Sequence, residues 1–191
     1  VRTLYEEGKL DGIFGMGGTG GPSVITTGMR TLPVGVPKLM LSTVGGGDVS
    51  AYAGTKDITF MPSIVDVAGI NSISRGIYTN AAGAIIGMVQ TEKTTGEEKP
   101  LVTASMFGNT TTAVNHAREL VENAGYEVLV FHATGTGGKT MESLIADGYI
   151  VGSLDITTTE LADTVCGGVF DAGPERVTGA SKAGIPAVIV P

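Results

Sequence analysis

Two segments carry glycines at the spacing used to hold phosphates, and a third places acids at a strand end. The first is Gly15-Met16-Gly17-Gly18-Thr19-Gly20-Gly21, with G-x-G-x-x-G at Gly15, Gly17 and Gly20. It follows the apolar run Gly12 to Gly15 and precedes a helical pattern. The backbone of Gly17, Gly18, Thr19, Gly20 and Gly21 is therefore expected to approach a phosphate at the positive end of a helix. The dinucleotide form of this motif also needs an acid at the end of the second strand. Here that strand ends in Ser42-Thr43, and Asp48 follows only across a second glycine loop, which argues against NAD. The bland alternative is a tight strand-to-helix turn that binds nothing.

The second segment, His132 to Thr140, ends in Gly-Lys-Thr but has Ala133 where a P-loop has its first glycine. It reads as a looser cradle for a phosphate or carboxylate, built from Thr134, Gly135, Thr136, Gly137 and Gly138, with Lys139 and Thr140 beside it. Asn109 and Thr110, ahead of a helix, can cap it or bind an anion. In the third segment, Asp155 to Glu160, the pair Thr157 and Glu160 matches the S/T-x-x-E capping box, which leaves Asp155 without a capping role. His132, Asp155 and Glu160 are the acid–base candidates, and Asp48 and Asp155 the candidate Mg²⁺ ligands. A hydrogen-bonded structural role is the competing reading of His132, His116 reads as a surface or packing residue, and Cys166 as a small buried hydrophobe in its helix. Two histidines and one cysteine give no metal-ligand spacing, and no Ser–His–Asp set is legible.

These loops need a scaffold that brings strand ends together. The first half reads as helix Thr3 to Lys9, strand Gly12 to Gly15, a helix after Pro22, strand Lys38 to Ser42, a strand near Asp57 to Met61, and a long helix Asn71 to Gln90. Glycines in the long helix predict close packing or a subunit contact. Thr91 to Lys99 is the most polar window and the expected linker, giving units 1–97 and 98–191. The second half alternates strand Leu101 to Met106, helix Thr112 to Ala124, strand Glu127 to Phe131, helix Lys139 to Asp147, strand Ile150 to Leu154, helices Glu160 to Phe170 and Pro174 to Ala183, and strand Ala187 to Val190. The expectation is α/β: two Rossmann-like or flavodoxin-like units with mainly parallel sheets flanked by helices, whose loops converge at the strands' carboxyl ends.

The chain has 191 residues, 42% of them apolar, and a formal charge of −7. That excludes disorder and makes nucleic acid a poor partner. No apolar run of about 18 residues is present to span a bilayer, and the single cysteine fits a reducing cytoplasm. Val1 is not an initiator, and the chain stops after an apolar run at Pro191, so both units read as cut at their outer ends.

Taken together, the blocks Asp11 to Gly21, Ser42 to Asp48, Asp57 to Arg75, Asn80 to Met88, Phe131 to Gly138 and Leu154 to Asp163 resemble one family. It comprises uncharacterised bacterial, fungal and plant proteins, among them the inhibitor of tomato mosaic virus RNA replication. The resemblance covers nearly the whole chain. It implies an ATP-binding domain and dimerisation, but no known reaction. The expectation is a nucleotide-binding protein that takes ATP, with Mg²⁺, on its glycine loops as a homodimer. The alternatives are an enzyme acting on a small phosphorylated or carboxylated metabolite, and a dimeric interaction module.

Overall fold

A computed structural model describes residues 1–92, 94 and 96–191; Lys93 and Thr95, in the expected linker, lie outside the described residues. The chain divides into unit 1, Val1–Thr94, and unit 2, Thr95–Pro191. Each is an α/β unit with a parallel sheet flanked by helices.

Unit 1 runs α1 (Arg2–Glu6), β1 (Ile13–Gly17), α2 (Gly21–Met29), β2 (Lys38–Ser42), a 3-10 turn Thr43–Gly46, α3 (Ser50–Ala53), β3 (Thr59–Pro62) and α4 (Ser72–Gln90). The sheet order is β1-β2-β3. β2 is buried along its whole length, as the central strand of a sheet covered on both faces must be. α2 packs over Gly15, where a Cβ would lie 3.0 Å from Met29 and Met40. On the opposite face Leu39 and Leu41 meet Ala81 of α4. Asn71 starts α4 with a reciprocal box, its side chain accepting from Ile73 and Ser74 N–H while Ser74 Oγ accepts from Asn71 N–H. The close packing expected of the α4 glycines falls instead to Ala81 and Ala84; a Cβ at Gly76, Gly83 or Gly87 would meet nothing within 4 Å.

Unit 2 runs β4 (Leu101–Met106), a 3-10 turn Gly108–Thr110, α5 (Thr111–Asn123), β5 (Glu127–His132), α6 (Thr136–Ala146), β6 (Ile150–Asp155), α7 (Thr159–Cys166), α8 (Gly179–Ala183) and β7 (Ala187–Ile189). The sheet order is β5-β4-β6-β7. Val102, Ala104 and Val128 bury against Val114 of α5 on one face, and Ile150, Leu101 and Leu129 against Met141 and Ile145 of α6 on the other. Three expected boundaries move. α6 begins at Thr136, so Gly137 and Gly138 belong to its first turn rather than to a loop. α7 stops at Cys166 because Gly167 turns left-handed (φ 74), and Cys166 is exposed rather than packed. The helix expected from Pro174 shrinks to α8, because Val177 ahead of it sits at φ 65, outside helical space.

The buried ammonium of Lys38 fastens the turn before β2. It donates to the carbonyls of Pro33 at 2.7 Å and Val36 at 2.8 Å, and pairs with Asp57 at 2.8 Å. Burial alone would raise the Asp57 carboxyl; hydrogen bonds from Lys38 and the Gly35 N–H outweigh it and hold Asp57 below its ordinary value. A depressed carboxyl stabilises the fold above its unfolded value and loses that contribution as pH falls through the folded one. Urea midpoints of the native chain should therefore fall as pH drops below about 5, and Lys38→Met should flatten that part of the profile. The same variant should lose roughly 2–4 kcal/mol at neutral pH, because two carbonyls and an acid lose their donor.

Candidate functional site

The carboxyl edge of unit 2 is organised by one residue that sequence reasoning did not single out. Arg176, in the turn before α8, is only 1% exposed. Its Nε donates to Glu160 at 2.6 Å, and its two amino groups clasp Asp155, one of them at 2.6 Å. The remaining donors reach Glu142 Oε1 and the Thr157 carbonyl, each at 3.3 Å. All five N–H donors of a guanidinium are thereby used. Burial works against the charge, but the hydrogen bonds and charges of Asp155 and Glu160 outweigh it and hold the guanidinium above its ordinary range.

Three acids around one cation need further donors, and the backbone supplies them. Glu160 Oε1 accepts from Gly135 N–H at 2.6 Å and Gly138 N–H at 3.1 Å, the start of α6. Glu142 accepts from Val177 N–H at 2.6 Å and Gly179 N–H at 2.8 Å. Ser105 Oγ donates to Asp155 at 2.6 Å and accepts from Thr157 N–H at 2.9 Å. The expected capping box at Thr157 and Glu160 is thus replaced. Thr157 Oγ1 contacts the Ser105 carbonyl and Thr110 Oγ1, and Glu160, fully buried, faces Arg176 and the α6 N-terminus.

The glycines of the two loops differ in what demands them. In unit 2, Gly135 adopts φ 83, a Gly137 Cβ would overlap the His132 carbonyl, and a Gly138 Cβ would overlap Glu160. Internal packing accounts for all three. In unit 1, a Gly17 Cβ would come within 2.9 Å of Gly21 Cα, a close strand-to-helix turn. Gly20 differs: it is right-handed (φ −86), and its Cβ would meet nothing within 4 Å. A Cβ on Gly21 would make only an ordinary contact with Ile25, at 3.8 Å. Gly21 N–H bonds the Gly18 carbonyl, whereas the N–H groups of Thr19, Gly20 and Ser23 find no acceptor among the described residues. The loops after β2 and β3 join this edge, where Ser42 Oγ donates to the Gly18 carbonyl and Ser63 N–H to the Ser42 carbonyl. Asp66 Oδ1 lies 3.1 Å from where a Gly18 Cβ would stand. Thr43 Oγ1 is buried with no hydrogen-bond partner among the described residues.

The remaining expected residues fall as follows. Asp48 is exposed in unit 1 and accepts from Ser50 N–H, a bond that holds its carboxyl below the ordinary range. Asp155 belongs to unit 2 and is occupied by Arg176 and Ser105, so it does not fit a Mg²⁺ ligand. Among the described residues no three His, Cys, Asp or Glu side chains gather as a metal site. His132 is exposed at the end of β5, and Asn109 is exposed in the turn after β4. Thr110 Oγ1 is held by Phe107 and Thr157. Thr136 and Gly137 keep backbone N–H groups without an acceptor among the described residues, while Thr134 N–H donates to the His132 carbonyl at 2.8 Å and its hydroxyl leans on the same oxygen at 3.5 Å. Asp66 was missed although it lies four residues past β3, because a lone acid in S-I-V-D carries no motif. Arg176 was missed because its partners lie 16 to 34 residues away.

Removing one partner of a buried, hydrogen-bonded ion network leaves the others uncompensated. Arg176→Met should cost about 3–5 kcal/mol in urea unfolding, and Arg176→Lys, which keeps the charge but not the fork, an intermediate amount. A loss below about 1 kcal/mol for the methionine variant would show that the cluster does not hold this edge together.

The two units match separate family models. Residues 1–94 match the N-terminal domain, and residues 99–191 the C-terminal domain, of an uncharacterised protein family, UPF0261. A UPF0261 protein of Clostridium tetani is 54% identical over all of this chain, which spans 48% of that protein. A UPF0261 protein of Rhizobium meliloti is 48% identical over 98% of the chain and 47% of its own length. The tomato ToMV resistance protein Tm-1(GCR237) is 43% identical over 96% of the chain, which spans 25% of it. The chain thus covers about half the length of these bacterial relatives and about a quarter of the tomato protein. With both units matched in order by the family's two domain models, the chain belongs to the UPF0261 family.

Proposed function

We propose that this chain binds a nucleotide, with ATP the first candidate, and that the phosphates lie against Gly17 to Gly21 and the N-terminus of α2 in unit 1. One observation carries the reading. Gly20 lacks a side chain that neither its backbone angles nor its neighbours forbid, beside N–H groups with no acceptor among the described residues. A phosphate approaching that backbone supplies the missing reason. In unit 2 the comparable donors of Gly135 and Gly138 already serve Glu160, which makes that loop the weaker cradle. Of the acid–base candidates for a metabolite enzyme, Asp155 and Glu160 are buried in ion pairs and only His132 is exposed. Among the described residues no helix is long and apolar enough to cross a membrane.

The test is a thermal melt with ATP and Mg²⁺, with ADP, NAD and inorganic phosphate as comparators. A ligand at a hundredfold over its dissociation constant adds about 2.7 kcal/mol, a shift of several degrees. Gly20→Val should abolish the shift while the variant still folds, its unliganded melting temperature lower by only about 4–8 °C, since the site is open and the cost is that of a poorer N-cap for α2. An unchanged ATP shift in that variant removes the phosphates from this loop.

A dimer has one observation of its own: the open face of α4 carries Gly76, Gly83 and Gly87 beside exposed Ile73 and Ile86. Such a face lets a second helix approach closely. Light scattering should give twice the chain mass, and Gly83→Leu should return it to one; a native monomer ends this reading.

A further inference from the structure

On the α5 side of the unit 2 sheet, α5 covers β4 and β5 and reaches Leu154 of β6 at the edge of its cluster, while Val188 of β7, beyond it, lies open at the rim of a groove. The result is a groove of about 460 Å³ between α5 and the sheet edge. Leu120 and Val121 of α5 and its C-cap Ala124 form one wall and Val188 the far rim, and no charged side chain lines it among the described residues. Leu120 is 60% exposed and Val188 56%. Parallel sheets are covered on both faces, because strands in the middle of βαβ units are apolar on both sides. β6 meets this condition fully on the α6 side and only in part on the α5 side, and β7 is bare there.

The groove has the width of one helix. α5 lies over the β4–β5 pair, and the pair β6–β7 is displaced from it by two strand spacings, about 9.5 Å. Packed helix axes lie about 8–10 Å apart. Handedness then says where such a helix comes from. Connections that move toward β7 (β5 to β6, β6 to β7) use the α6 and α8 side, and the one that moves the other way (β4 to β5) uses the α5 side. For right-handed crossovers, an element on the α5 side over β6 and β7 follows the outermost strand and runs back across the sheet. The bacterial relatives carry more chain than the matched region, which is 48% of the Clostridium tetani protein.

We propose that this groove seats one apolar-faced α-helix of the longer polypeptide, contributed by residues that follow the matched region and packed in parallel layers beside α5. Two reporters test it: Val188→Cys and, on the opposite wall, Leu120→Cys, each in a chain whose exposed Cys166 is changed to serine. Each is made in the 191-residue chain, and a cysteine is placed at the matching position of the Clostridium tetani protein. Maleimide should label both sites of the short chain at the rate of an exposed thiol. In the long protein both sites should react at least tenfold more slowly, and denaturant should remove the difference. Equal rates in the two lengths overturn the proposal. So does slow labelling of the short chain alone that deepens with its concentration, which gives the groove to a second copy. If one cysteine variant fails to fold, judged by circular dichroism, the other carries the comparison.

Discussion

The guanidinium of Arg176 is the point on which the carboxyl edge of unit 2 depends. A buried arginine is tolerable only if every N–H finds an acceptor, and a buried acid only if it finds donors. Arg176 meets its side with Asp155, Glu160, Glu142 and the Thr157 carbonyl. The acids outnumber it, and the difference is made up by uncharged donors: N–H of Gly135, Gly138, Val177 and Gly179, and Ser105 Oγ. Those donors come from the start of α6, from the turn into α8 and its first residue, and from β4, so one network ties three stretches of chain to the end of β6. It also explains an otherwise costly backbone. Val177 is β-branched at φ 65, a conformation that persists only where its surroundings over-determine it. Here Glu142 takes the Val177 N–H while Arg176, one residue earlier, is locked into its pocket.

The alternation of strand and helix was legible because it is a local property. Val102, Ala104 and Met106 point to one face of β4 and Thr103 and Ser105 to the other, which is the period of a strand. The α4 start was legible for the same reason, since Asn71 and Ser74 satisfy each other within one turn. What failed was local chemistry overruled at a distance. Thr157 and Glu160 have the spacing of a capping box, but the N-terminus that Glu160 serves is that of α6, more than 20 residues earlier. Similarly, nothing in G-P-E-R-V marks Arg176 as buried, because its acceptors come from three different elements.

Glycine is ambiguous in a sequence because three different needs select it: a left-handed backbone, a close neighbour, or room for a ligand. The two glycine loops look alike as text and separate once each need is checked. Gly135 needs its angle, and Gly137 and Gly138 need the space now taken by the His132 carbonyl and Glu160. Gly17 needs the space taken by Gly21, but Gly20 has neither excuse. Gly20 is the N-cap of α2, a position that favours glycine over branched side chains but does not require it, so the capping role accounts for the residue only in part.

The same separation bears on where a ligand belongs. In an open α/β sheet the crevice for ligands lies at the switch point, outside the carboxyl ends of neighbouring strands whose connections depart in opposite directions. In unit 2 that point is between β4 and β6, and it is bridged from both sides: Ser105 to Asp155 at 2.6 Å, Thr110 to Thr157 at 2.7 Å, and Thr157 N–H to Ser105 at 2.9 Å. A ligand entering there would have to displace short hydrogen bonds between buried groups, each of which would then need a new partner. At the edge of unit 1 the strand ends are held by fewer such bonds, and the loop retains donors with no acceptor among the described residues. Unit 1, whose strands run in the order β1-β2-β3 and so have no switch point, differs only in how few hydrogen bonds an entering group would have to displace at its edge.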